Sequence, residues 1–336
     1  MKALKTAFRL DGPSTAIGYG GSGRLRPLEL LPWILALLVF FFAPNYLALG
    51  AYILIMILFA LSLDLILGYG GIVTLGHAAY FGFGAYFAGV FAVHVSGDPI
   101  LGLVVSAAAA AALGLATGAV ILRTHALALL MLTLAITSIV FEIASKWSSV
   151  TGGSDGMHSV PIQAVLGSFR FDMFGKTAYL YCLVVLFLCW WLVRSIVHSP
   201  FGMALAGTRE NNVRMHAIGA PVYWRRLYAY TISAALAGVA GALLTHTTQF
   251  VGLSVLTFEL SGEVLVMLVL GGIRRIYGAF VGPVLFLVAR DYLAKQTPEY
   301  WTLGIGLLLI AIVMFARGGV LGLADSVLDR LFGKKN

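Results

Sequence analysis

Charge is scarce in this sequence: Asp, Glu, Lys and Arg make up 11% of its 336 residues, against roughly 25% in an ordinary soluble domain. With 60% hydrophobic residues and a mean hydropathy of +0.95, that scarcity excludes a soluble globular chain. Strict alternation of apolar and polar residues is also missing. This excludes a transmembrane barrel and leaves helices, the other structure that satisfies its own backbone in hydrocarbon. The two cysteines, Cys182 and Cys189, fall on one predicted helix about 10 Å apart along its axis, too far to bridge each other within it.

Catalytic and cofactor signatures are lacking too. "GYGGSG", Gly18 to Gly23, has the spacing of a dinucleotide fingerprint, but no strand precedes it and no βαβ unit follows. "FGKT", Phe174 to Thr177, resembles the end of a phosphate-binding loop, yet Arg170 stands where that pattern needs glycine. The seven histidines are scattered, without an H-E-x-x-H or paired-cysteine arrangement, so no metal site and no cofactor is expected on this chain. Residues 1–29 are polar, with no apolar region leading to a cleavage site, and do not read as a secretory signal. A net charge of +8 in such a chain records membrane orientation rather than a nucleic-acid partner.

What is present is a series of apolar runs, near Leu31–Leu49, Ala51–Leu67, Ile72–Val95, Ile100–Leu122, His125–Lys146, Ala178–Val197, Leu227–Thr248, Phe258–Ile273, Ala279–Leu293 and Trp301–Ala316. They predict an all-α, polytopic membrane protein with about ten transmembrane helices: a tail at 1–29, a membrane domain at 30–318 and a second tail at 319–336. Alternating sides from a cytoplasmic start places 17 of the 22 Lys and Arg residues inside. Both ends are therefore expected in the cytoplasm.

On this topology residues 198–226 form a cytoplasmic loop. Within it Arg209 to Ile218 lacks Pro and Gly and predicts one short helix, stopped by Gly219 and Pro221. On the other side Trp147–Thr177 carries "TGGSDGM", Thr151 to Met157, whose Gly, Ser and Asp favour tight turns.

Ionisable residues at membrane depth are costly, which makes them functional candidates. Here they are Asp64, His77, Glu142, Glu259 and Glu263, with His246 and Arg290 less deep and Glu259 near a membrane edge. Asp64, His77, Glu142 and Glu263 are the candidates for lining or gating a path; none reads as a catalyst. Asp64 and His77 flank the first part of "GYGGIVTLGHAAYFGFGAY", Gly68 to Tyr86, which holds six glycines. Such a run serves either close helix packing or a broken helix around a polar cavity. A second "GGI", Gly271 to Ile273, echoes Gly70 to Ile72 and hints at an internal duplication.

In their order and spacing, that glycine-rich stretch, "LTLAITSIVFE" leading to "TGGSDGM", "RENNVRMHAIGAPVYWRRLYAYTISAALAGVAGALL", "SGEVLVMLVLGGI" and "FARGGVLGL" resemble the LivM-type permease subunits of branched-chain amino acid ABC importers. The resemblance runs from about Ala51 to Gly322. It implies an inner-membrane permease that works with a second related permease, two ATPase subunits and an extracytoplasmic solute-binding protein, in contact with membrane lipid. ATP would be used by the partner subunits.

By the same resemblance, Arg209, Glu210, Arg214, Ala217 and Gly219 belong to the coupling segment that docks on an ATPase, and Asp155 is a contact for the binding protein. Leucine, isoleucine and valine are the implied solutes, with other amino acids, urea or short amides as the alternative. An ion-coupled secondary carrier is the rival class. Two departures stand out: Asn is commoner than Asp at position 64, where the charge could pair with His77, and Gly with a small polar residue usually follows "LGG", where this chain has Arg274 and Arg275.

Overall fold

The computed structural model describes residues 31–42, 44–124, 126–165, 175–296 and 319–322, with isolated positions at 167, 169, 303, 304, 306, 307 and 310. The 1–29 tail, most of the tenth apolar run and most of the 319–336 tail lie outside the described residues. Among the described residues there is no strand, and the chain runs through α1 (Leu31–Phe42), α2 (Leu47–Asp64), α3 (Ala78–His94), α4 (Pro99–Ile121), α5 (Ala126–Lys146), α6 (Lys176–Val197), α7 (Pro200–Glu210), α8 (Asn212–Ala217), α9 (Val222–Thr248), α10 (Phe258–Gly271) and α11 (Gly278–Gln296). Among the described residues the helices α2, α4, α5, α6 and α9 are long and apolar enough to cross a membrane, and α1 and α3 are shorter apolar helices; with α10 and α11 they fall in the positions of the first nine runs.

Burial sorts them by role. α2 is apolar on all sides and buried from Leu54 to Asp64, the pattern of a helix enclosed by protein. Around it stand α6, α9, α10 and α11. α9, the other inner helix, packs on α2, α3 and α4 through small residues: a Cβ at Gly241 would collide with the Phe81 carbonyl, and one at Gly238 with the Ala110 side chain. In a membrane, where lipid tails are as apolar as Leu, such backbone proximity supplies the van der Waals contact that holds helices together. α4 and α5 are peripheral, with 22% and 17% of their most apolar stretches buried.

Two boundaries differ from the sequence expectation. The first run does not continue to Leu49; α1 ends at Phe42, and Pro44–Tyr46 forms a 3-10 turn before α2, because Pro44 has no N–H to extend a helix. Nor is Ile72–Val95 one helix. α2 unwinds through a π-turn at Leu65–Tyr69, residues 71–77 are irregular, and helix resumes only at Ala78.

Candidate functional site

The break between α2 and α3 is where the candidates gather. Gly71 takes φ +66°, a left-handed conformation cheap only for glycine, and turns the chain off the helix. Ile72, Thr74, Gly76 and His77 are buried, while Gly71 and Val73 reach the surface. Irregular backbone at membrane depth needs partners from its own protein. They come from several elements: Ile72 N–H donates to the Ile66 carbonyl at 2.9 Å, Gly76 N–H to Thr74 Oγ1 at 3.2 Å, and Ala78 N–H to Ser261 Oγ of α10 at 2.9 Å.

His77 is buried, its ring stacked on Phe59 at 5.4 Å. Its Nε2 lies 2.8 Å from Ser62 Oγ. Since Ser62 gives its one hydroxyl proton to the Phe59 carbonyl at 2.6 Å, Nε2–H is the donor to Ser62. Nδ1 is then an acceptor, with no partner among the described residues. The pairing of Asp64 with His77 that the sequence suggested is not formed: Asp64 Oδ1 instead accepts the backbone N–H of Arg274 at 2.8 Å.

That bond brings the two "GGI" turns to one place. Arg274 lies in the turn after α10 and has φ +67°; its guanidinium reaches Glu210, the last residue of α7, at 3.2 Å. The neighbouring Arg209 guanidinium donates to the Gly68 carbonyl in the π-turn. Burial and the nearby Arg274 cation lower the pKa of Arg209, whereas Asp64 and Glu210 pull it back up. Four charges, two of each sign, thus join the end of α7 to both glycine turns. Space there is tight: a Cβ at Gly68 would strike the Asp64 carboxylate.

The segment 209–218 is not the single helix its sequence suggests. Asn211, with φ −154°, ends α7 and caps α8, its side chain accepting from Arg214 N–H at 2.9 Å. Asn is a strong N-cap and competes with helix continuation through this bond. Arg209 and Glu210 therefore belong to α7, Arg214 and Ala217 to α8. Gly219, at φ +79°, follows as the left-handed stop. α8 has no buried residue, and Val213 and Ile218 stand 79% and 70% exposed.

The remaining candidates lie elsewhere. Glu142 is on the exposed face of α5, 3.5 Å from Lys146 one turn on. Glu263 of α10 is half-buried and pairs with Arg290 of α11 at 3.3 Å, a partner that the sequence reading did not assign to it. Asp155 is exposed in a 3-10 turn at Gly153–Asp155, in the loop that follows α5. That loop is pinned by Thr151 Oγ1 donating to the Ala144 carbonyl at 2.6 Å and by the antiparallel exchange of Met157 with Val251. Among the described residues no cluster of three or more metal-capable side chains occurs.

A broken span and a protruding polar hairpin on a helical membrane bundle are features of transporters, and the sequence comparisons agree. The family described as branched-chain amino acid transport system / permease component matches residues 45–313. The chain belongs to this family. The high-affinity branched-chain amino acid transport system permease protein LivM of Escherichia coli (strain K12) is 28% identical over 80% of this chain and 68% of its own length, and the LivM of Salmonella typhimurium (strain LT2) gives the same figures. The probable branched-chain amino acid transport permease protein LivH of Methanocaldococcus jannaschii is 26% identical over 60% of this chain and 66% of its own length. No solved structure matches. This permease is thus a multi-pass membrane protein, and α7, α8 and the broken span are parts of a transport component.

Proposed function

We propose that the chain is a membrane subunit of an ATP-binding-cassette importer that moves branched-chain amino acids inward across the inner membrane, with both termini and the α7–α8 hairpin in the cytoplasm. A second related permease, two ATPase subunits and an extracytoplasmic binding protein complete the machine; ATP is consumed by the partners and no cofactor sits on this chain. The observation that carries this reading is α8, a short helix with no buried residue that holds Val213 and Ile218 out from the bundle. An apolar knob flanked by Arg214 and His216 suits a groove rimmed by carboxylates on an ATPase.

Arg209, Glu210, Arg214, Ala217 and Gly219 then form the coupling element, and Asp155 is a contact for the binding protein. Asp64, His77 and Glu263 serve the path, with Glu142 on a face left open for the second permease. Reconstitution into proteoliposomes tests the whole. Labelled leucine should accumulate only when ATPase subunits, ATP and binding protein are all present. Accumulation by this chain alone under a proton or sodium gradient would overturn the reading in favour of an ion-coupled carrier.

A further inference from the structure

We propose that Arg274 is the positioning residue through which displacement of α8 reaches the broken span, an inference that rests on the coupling role of α7 and α8 and adds a route within this chain. Arg274 occupies a left-handed backbone position, φ +67°, where Gly or Asn would sit without strain. An arginine there makes two connections that a glycine could not combine. Its N–H is held by Asp64, the last residue of α2, at 2.8 Å, and its guanidinium holds Glu210, the residue before the Asn211 bend, at 3.2 Å.

The two connections differ in strength. The Asp64 end is buried, where a charge-assisted bond is strong and costly to break. At the outer end the Glu210 side chain is 66% exposed and that of Arg274 is 21% exposed, so water, salt and a docking partner compete for the ion pair. Arg209, next to Glu210, meanwhile holds the Gly68 carbonyl. Adjacent residues of α7 therefore grip both glycine turns, one through a releasable ion pair and one through the backbone of the broken span. When a partner levers α8 about Asn211, Arg274 determines whether the turn after α10 follows α7 or stays with α2.

A static brace and a transmitting residue are separated by the ratio of ATP hydrolysed to solute imported. The complete transporter with its ATPase and binding-protein partners is assayed in proteoliposomes as wild type, Glu210→Arg, Arg274→Glu, the double reversal, and Arg274→Gln, which keeps the backbone bond to Asp64 but has no cation. Each single variant should raise ATP per leucine at least about fivefold, the lower end of ordinary coupling energies. The double reversal should return it to within about twofold of wild type. Should a charge reversal fail to fold, as thermal melting will show, Arg274→Gln decides. A wild-type ratio in Arg274→Gln, or a double reversal as uncoupled as its parents, overturns the proposal. A wild type that imports leucine without ATPase subunits would instead sink the coupling role itself, and is distinguishable for that reason.

Discussion

Arg274 N–H and Asp64 Oδ1 meet at 2.8 Å although 210 residues separate them in the chain. The bond joins the end of α2 to the turn after α10 and shields a backbone donor that would otherwise be left unmet. Asp64→Leu should cost about 2 kcal/mol, the penalty for an orphaned donor plus a lost charge-assisted bond. Asp64→Asn, which keeps an acceptor oxygen, should cost less than half of that. Thermal unfolding in detergent compares the two, and equal losses would contradict the hydrogen-bond account.

Ser62 and His77 provide a second energetic check. The tautomer argument makes Ser62 an acceptor from His77 and a donor to Phe59. A double-mutant cycle with Ser62→Ala and His77→Phe should show a coupling of about 1 kcal/mol. Additive losses would mean that the two side chains do not act as a pair.

Gly219→Pro tests the hairpin. Proline fixes φ near −65°, incompatible with the +79° observed, and removes the N–H that Gly219 donates to the His216 carbonyl at 3.0 Å. ATP-dependent leucine uptake should fall by at least about tenfold, a loss near 1.4 kcal/mol, while the amount of protein in the membrane is unchanged. Undiminished uptake would remove the α8 stop from the mechanism.

The α9–α3 contact leaves no room for a side chain at Gly241. Gly241→Leu should therefore prevent assembly of the bundle, at a cost of roughly 3 kcal/mol or more. Gly262→Ala, at a site with nothing within 4 Å of the added atom, should be tolerated. Detergent-solubilised yield and size-exclusion profiles read both outcomes.

Orientation is open to thiol labelling, since Cys182 is buried and Cys189 is at most partly accessible. With a membrane-impermeant maleimide, Asp155→Cys should react in spheroplasts, and Ile218→Cys only after permeabilisation. The reverse pattern would invert the proposed topology and detach α8 from any cytoplasmic ATPase.

Much of this architecture is legible from hydrophobic run lengths, because a span must be long and apolar whatever it packs against. Glycine clustering between Asp64 and His77 likewise marks the break before α3. Partners are another matter. Asp64 and His77 look like a pair when they stand thirteen positions apart in sequence, yet Asp64 bonds to a turn from the far end of the chain and His77 to a serine on α2. Nothing local specifies such long-range choices. The split of 209–218 into two helices did have a local signal, the tandem Asn211 and Asn212, whose capping strength outweighs the absence of Pro and Gly.

The stretch from Gly71 to His77 also constrains biogenesis. Its continuation at Ala78 is capped by a serine 183 residues downstream, and the Asp64 carboxylate at the preceding helix end meets its donor, the Arg274 N–H, in a turn made later still. The first half of the protein therefore enters the bilayer with the Ala78 donor and the Asp64 acceptor both unmet, and settles only after synthesis of α10 and the turn that follows it. Truncation before Ser261 is expected to leave an inserted but unfinished bundle, a natural substrate for membrane quality-control proteases.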